Sequence, residues 1–266
     1  MPIEDARLAE LTGPGSAGSI AQVLDRLAAI RDAAEAAGRG EDDGIAAFTG
    51  YCHVVTATVD ELRAGGRFGA PEFVVRLGLE IAEGYFTALR RYAVDPRTTP
   101  LAWRVLFDRR ADPAVPPGRF ALAGANAQLN LDLAGALVST WERVGPDDGT
   151  ADSRQYRDYC LLNEVWEATL DPFREPLVTG PAPDPTGVHL ADLVVRFTRD
   201  LAWDEAKEVW TDGAEEPRRR ASAEKLDAIA GFVGSRLLGP VTAAPRRPAP
   251  TGPSAAGAAP LPAAPA

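Results

Sequence analysis

A chain of 266 residues with 45% hydrophobic content can bury a substantial core, and its formal net charge of −10 argues against general nucleic-acid binding, which needs a basic surface. Two cysteines, Cys52 and Cys160, are too few and too far apart for a disulfide framework or a structural zinc site, and both read as small buried hydrophobes. The N-terminus, MPIEDARLAE, carries neither a basic leader nor an apolar one, and no apolar run approaches the ~18 residues of a membrane span, so a cytoplasmic protein without membrane contact is expected.

In chain order, residues 1–17 mix Gly, Pro and Ser and read as a flexible arm. From Ser19, Ile20, Val23, Leu24, Leu27 and Ile30 recur at helical spacing, predicting a helix to about Ala37 that Gly38-Arg39-Gly40 ends. Asp42 and Asp43 suit the start of a second helix, with Ile45, Phe48, Val55, Val59 and Leu62 on its apolar face and Gly65-Gly66 closing it. Pro71 fits the first turn of a third helix whose core face is Phe73, Val74, Leu77, Ile81, Tyr85 and Leu89, ending near Asp95-Pro96. A short apolar piece, Leu101 to Phe107, holds Trp103.

The stretch Arg119 to Arg143 is predicted as a central helix, with Pro116-Pro117 before it and Gly145-Pro146 after it. Asn126 and Asn130 share one stripe with Leu122, Leu129, Leu133 and Leu137. Gln128 and Asp132 share another with Ala121, Ala125, Gly135 and Ser139. Small residues beside a carboxylate leave room for a close-packed helix or a ligand. Buried asparagines need partners, and a lone carboxyl on an apolar helix tends to have a shifted pKa. Beyond it, a helix with Tyr156, Tyr159, Leu162, Val165 and Trp166 is expected to end at Asp171-Pro172, followed by a proline-rich loop from Thr179 to Pro185. Helices from about Val188 to Trp210 and Ala221 to Leu238 complete the set. The expectation is an all-α protein: one domain of about eight helices over residues 18–238, and a disordered Pro/Ala-rich tail over 239–266.

Only His53 and His189 offer imidazoles, and neither has a ligand-like partner at helical spacing, so no metal and no cofactor are expected. No GxSxG, GxxxxGK[ST] or strand-linked GxGxxG occurs. Tyr51 and Tyr85 can each present a phenol in a cavity, or pack in the core with the hydroxyl satisfied. The five tryptophans can line an apolar pocket, although packing is their default, and Arg218-Arg219-Arg220 reads as a solvated helix start.

Two stretches carry a resemblance. The first is Asp43-Gly44-Ile45, Phe48, Tyr51, Val55-Thr56, Val59, Phe68, Phe73, Leu77, Gly84-Tyr85-Phe86 and Ala88; the second is Trp103 to Phe107 with GANAQLNLDL, Gly124 to Leu133. Together they resemble an actinomycete family of unknown function whose hallmark is an Asn-Ala-His-Ile-Asn-x-Asp-Leu helix. Asn126, Asn130 and Asp132 match; Gln128 stands where the family has His, which puts an inherited metal site in doubt. The resemblance extends to polyketide pathways and spiroketal formation. It implies a cofactor-independent cyclase or dehydratase acting on an apolar small molecule, with Asp132 as acid and then base, Tyr85 or Tyr51 assisting, and Asn126, Gln128, Asn130 and Trp103 binding substrate. A helical, metal-dependent hydrolase and a non-enzymatic module binding an apolar ligand or a partner protein are the alternatives. Oligomeric state stays open.

Overall fold

The computed structural model describes residues 3–13, 15, 17–147, 153–179, 201–211 and 216–239. Every regular element among them is helical, as the periodicity predicts: α1 (Ile3–Leu11), α2 (Ile20–Ala34), α3 (Gly44–Ala64), α4 (Pro71–Val94), α5 (Leu101–Arg109), α6 (Pro117–Ala127), α7 (Leu133–Val144), α8 (Arg154–Thr179), α9 (residues 201–211) and α10 (Glu216–Leu237). Two wider π turns interrupt the α-helical pattern: Glu35–Arg39 extends α2, and Gln128–Asp132 joins α6 to α7. Among the described residues no helix is long and apolar enough to cross a membrane.

Several boundaries differ from the sequence expectation. The stretch read as an arm contains α1, which packs on α2 and α4 and buries Leu8. Helix α8 runs through Pro172 to Thr179 instead of stopping there. Pro172 costs one backbone hydrogen bond, at the carbonyl of Ala168, without ending the helix. Cys160 is only partly buried, while Cys52 is buried. The proline-rich loop beyond Thr179, most of the helix expected from Val188, His189 and the Pro/Ala-rich tail lie outside the described residues.

Three helices open on proline-containing sequences that supply no capping side chain of their own, α6 at Pro116-Pro117 and two others: Ala70-Pro71 for α4 and Pro100-Leu101 for α5. The latter two starts are capped instead by a carboxylate from a distant helix. Asp158 of α8 accepts from Gly69 N at 3.0 Å and Ala70 N at 2.6 Å. Asp227 of α10 accepts from Leu101 N and Ala102 N, both at 2.8 Å. The N-terminal amides that a helix leaves unpaired thus tie α8 to α4 and α10 to α5. At α3 the cap is local: Asp43 accepts from Ile45 N and Ala46 N, and its second oxygen takes the Arg110 guanidinium at 2.8 Å.

The centre is set by α3 against α6. Gly44 lies under the Phe120 ring, where a Cβ would come within 2.6 Å of it; Gly124 lies under Phe48, where a Cβ would come within 2.1 Å. Each helix therefore offers a glycine and a phenylalanine four residues apart, and each phenylalanine fills the gap left by the other helix's glycine. The matched pairs advance in the same direction along both helices, so the two run parallel with their i, i+4 rows interlocked. Phe48 also touches Tyr85 and Trp103, at ring-centroid distances of 5.0 and 5.3 Å, carrying the contact on to α4 and α5. A second aromatic cluster sits around Trp203 of α9, which packs on Trp141, Tyr156 and Tyr159 at 4.9–5.1 Å.

Gly124→Ala is expected to destabilise the protein by about 3 kcal/mol in urea unfolding, because a methyl must displace the buried Phe48 ring. Shortening that ring in a Gly124→Ala/Phe48→Leu double variant should recover part of the loss, giving a non-additive cycle. Additive losses would mean that the two side chains do not share this space.

Candidate functional site

One turn beyond Phe48 and Gly124, the interlocked rows meet again at Cys52 and Gln128. The Gln128 amide hydrogen-bonds the Cys52 sulfur, and burial pushes that thiol far above its ordinary pKa, so it stays protonated. Here the register ends, because Gln128 begins the π turn. A π turn takes in an extra residue, so the residues after it are rotated relative to an uninterrupted α-helix. The stripe carrying Gln128 and Asp132 shows the effect. Ala121 and Ala125, before the turn, are buried; Ser139, after it, is half-buried and Gly135 is exposed.

Asp132, the last residue of the π turn, points at α4 and α5. Its Oδ2 accepts from the Trp103 indole N–H at 2.9 Å. The same oxygen lies 3.0 Å from where a Cβ on Gly84 would be, so the bare backbone of α4 forms the floor beneath the carboxyl. Oδ1 makes no hydrogen bond among the described residues and is not among their buried unsatisfied atoms. The residue as a whole is partly exposed, yet its carboxyl sits amid dense protein. Desolvation is the largest influence on it and raises its pKa to about 7; the Trp103 hydrogen bond opposes the rise, Asp227 adds to it, and Arg91 opposes it. The carboxyl can therefore hold or release a proton near neutral pH.

The asparagines face the opposite neighbour. Asn130 Nδ2 donates to Asn126 Oδ1 at 2.8 Å, and Asn126 Nδ2 donates to the Ala230 carbonyl of α10 at 2.8 Å. Asn126 is fully buried and Asn130 partly so. The pair forms a polar latch between the central rod and α10, meeting the demand of amides on an apolar helix for partners.

Tyr51, Tyr85 and Gln128 are brought together around an inner chamber that Cys52, Val55 and Trp166 also line. Its free volume is about 60 Å³, well under the roughly 150 Å³ that holds a benzene-sized molecule. The Tyr85 hydroxyl lies 2.6 Å from Thr49 Oγ1, which is itself 2.6 Å from the Ile45 carbonyl. With Thr49 donating to Ile45, Tyr85 is the donor to Thr49. Burial drives the Tyr85 pKa well above its ordinary value, so it keeps its proton in any neutral solution. Trp103 and Asp132 do not line this chamber; the Trp103 and Tyr85 ring centroids are 5.3 Å apart.

The seven residues singled out from sequence thus form three groups: Tyr51, Tyr85 and Gln128 at the chamber, Asp132 with Trp103, and Asn126 with Asn130. Sequence reasoning did not single out Gly84, Thr49, Cys52 or Asp227 as parts of these groups. Gly84 belongs to the Gly84-Tyr85-Phe86 motif, which was a usable signal. Asp227 has no local signal, since its role comes only from the docking of α10. His53 is half-buried on α3. Among the described residues no three His, Cys, Asp or Glu side chains converge to hold a metal ion.

With this geometry in hand, comparison with known proteins places the chain: it belongs to a family described as of unknown function, DUF5995, whose match spans residues 20–240, from the start of α2 past the end of α10. No curated protein and no solved structure matches it.

The raised Asp132 pKa links stability to pH. An unfolded aspartate releases its proton near pH 4, whereas the folded carboxyl keeps it to about pH 7. The folded state therefore binds the extra proton in between and loses stability as pH rises through that window. Asp132→Asn should remove this dependence and exceed wild type by about 2 kcal/mol at pH 8 in urea unfolding, a figure lowered to allow for partial solvent access. Equal slopes for the two proteins between pH 5 and 8 would place the Asp132 carboxyl in an ordinary aqueous setting.

Proposed function

We propose that the protein is a cofactor-independent cyclase or dehydratase in which Asp132 transfers the proton, with a dihydroxy ketone of polyketide type as the substrate class. The observation that carries this reading is the Asp132 carboxyl itself: one oxygen is fixed by Trp103, the other makes no hydrogen bond among the described residues, and its pKa is raised to about 7. A general acid works best with a pKa near the working pH. The resemblance of the Asn126 to Leu133 stretch to proteins of spiroketal pathways supports the choice of substrate.

The chemistry balances with one carboxyl. One hydroxyl of the substrate adds to its ketone to give a hemiketal. Neutral Asp132 protonates the hemiketal hydroxyl, which leaves as water. The second hydroxyl attacks the resulting oxocarbenium carbon and passes its proton to the Asp132 carboxylate. The net change is loss of one water, and the acid is restored. Trp103 acts as a positioning residue: its N–H holds Oδ2 and leaves Oδ1 to face the reacting oxygen.

The test is spirocyclisation of a synthetic long-chain dihydroxy ketone, read as the stereoisomer ratio and rate above the spontaneous reaction. Wild type is expected to give one predominant isomer, with kcat falling as pH rises through about 7 as the acid ionises. Asp132→Asn should lose about 100-fold or more in kcat, and Trp103→Phe should shift the pH profile upward, because the hydrogen bond it removes holds the pKa down. Turnover by Asp132→Asn at the wild-type rate would remove the carboxyl from the mechanism.

A further inference from the structure

On the outer face of α3 lies a second hollow, a basin of about 700 Å³ lined by Arg31, Glu35, Glu41, Gly50, Val54 and Phe173, among others. Among the described residues, Tyr51 alone lines both this basin and the inner chamber. Its position on α3 explains why. Gly50 and Val54 face the basin, Cys52 and Val55 face the chamber, and Tyr51 stands on the boundary between the two stripes. Its ring meets Phe173 edge-on at 6.3 Å on the basin side and Phe48 at 6.0 Å on the core side.

The surroundings of that ring are permissive on the outer side. A Cβ on Gly50 would meet Arg31 Cδ at 3.9 Å, an ordinary contact, so the Arg31 stem flanks this stripe of α3 without crowding it. Pro172, which lines the basin, interrupts the hydrogen bonding of α8 next to Phe173. The π turn Glu35–Arg39 supplies Glu35 to the same rim. The chamber alone is too small for a ligand. The basin alone is open to solvent. Joined, they stay within the roughly 300–1,000 Å³ typical of small-molecule sites, and the chamber adds an apolar end to a polar mouth.

We infer that the basin and the chamber are two halves of one binding site, with the Tyr51 ring as the gate between them, for a small amphipathic molecule that puts an apolar end against Cys52 and Gln128 and a cationic head at the rim. The rim chooses the head group. Arg31 already faces Asp32 at 3.1 Å and Glu35 at 3.5 Å, while Glu41 adds a further carboxylate to the lining. An anionic head would meet net negative charge there. This site does not include Asp132 and does not rest on the acid–base reading.

The buried thiol supplies the assay. In the full chain carrying Cys160→Ser, the rate at which N-ethylmaleimide labels Cys52 reports opening of the gate. Tyr51→Ala is expected to raise that rate at least tenfold. In the Cys160→Ser protein with Tyr51 intact, n-octylammonium should slow labelling, n-octanol less so, and n-octanoate least. An unchanged rate in a folded Tyr51→Ala protein would overturn the gate. Protection by octanoate equal to that by octylammonium would overturn the cationic head. Should Tyr51→Ala not fold, the octylammonium arm decides alone: protection supports the joined site, and its absence refutes it. Repeating the assay with Asp132→Asn, which should label and protect identically, keeps this outcome separate from that of the proposed reaction.

Discussion

Helices α3 and α6 approach so closely that neither Gly44 nor Gly124 can carry a side chain, and the rest of the molecule is built outward from that contact. Phenylalanine against glycine, twice and in opposite sense, fixes the two helices both in distance and in register, since a slip by one residue would drive each ring into a Cβ. The register then decides what faces what one turn later, and brings Cys52 to Gln128. Phe48, held in its glycine notch, orients Tyr85 and Trp103 around it. The indole N–H that fixes Asp132 is therefore placed by a packing constraint two turns away from the carboxyl it serves.

The π turn is where the central rod stops obeying that register. An uninterrupted α-helix would have kept Asp132 on the row that begins at Phe120 and Gly124. The wider turn instead sends it to the α4–α5 side, over Gly84. Two environments arise from one short stretch of sequence: a neutral thiol–amide pair facing an apolar chamber, and a carboxyl held against α4 and α5 with its charge disfavoured. The Tyr85 hydroxyl belongs to neither, being spent on Thr49. Helix α10 closes the arrangement by capping α5 through Asp227 and receiving the Asn126 amide at Ala230. The Asp227 charge that stabilises the start of α5 also raises the Asp132 pKa, so one residue serves both the fold and the electrostatics of the site.

Much of this was readable in advance and some was not, for physical reasons. Apolar spacing located α2, α3 and α4 because each buries a single broad stripe, and Pro71 marked the first turn of α4. The prominence of Asn126, Gln128, Asn130 and Asp132 followed from the cost of placing polar groups on an apolar helix, and the asparagines did need each other and a carbonyl. The π turn escaped because spacing rules assume a constant rotation per residue; wound as an α-helix, the four polar residues fall into two stripes, whereas the structure spreads them over three neighbours. Helix α1 escaped because Leu8 and Thr12 are buried by tertiary contact that a Gly- and Pro-containing stretch does not advertise. The continuation of α8 through Pro172 reflects packing strong enough to offset one missing hydrogen bond. Remote capping by Asp158 and Asp227 is invisible to any local pattern, since the partner lies far along the chain.

The proposed chemistry turns on the protonation of one side chain. Carboxyl carbon-13 NMR of aspartate-labelled protein, with Asp132→Asn to assign the signal, measures it without any substrate. A titration midpoint near 7 for Asp132, with Oδ2 still held by the Trp103 N–H, is the result predicted. A midpoint in the ordinary aspartate range near 4 would contradict the account, because Asp132 would then be an ionised surface carboxylate with no proton to give at neutral pH.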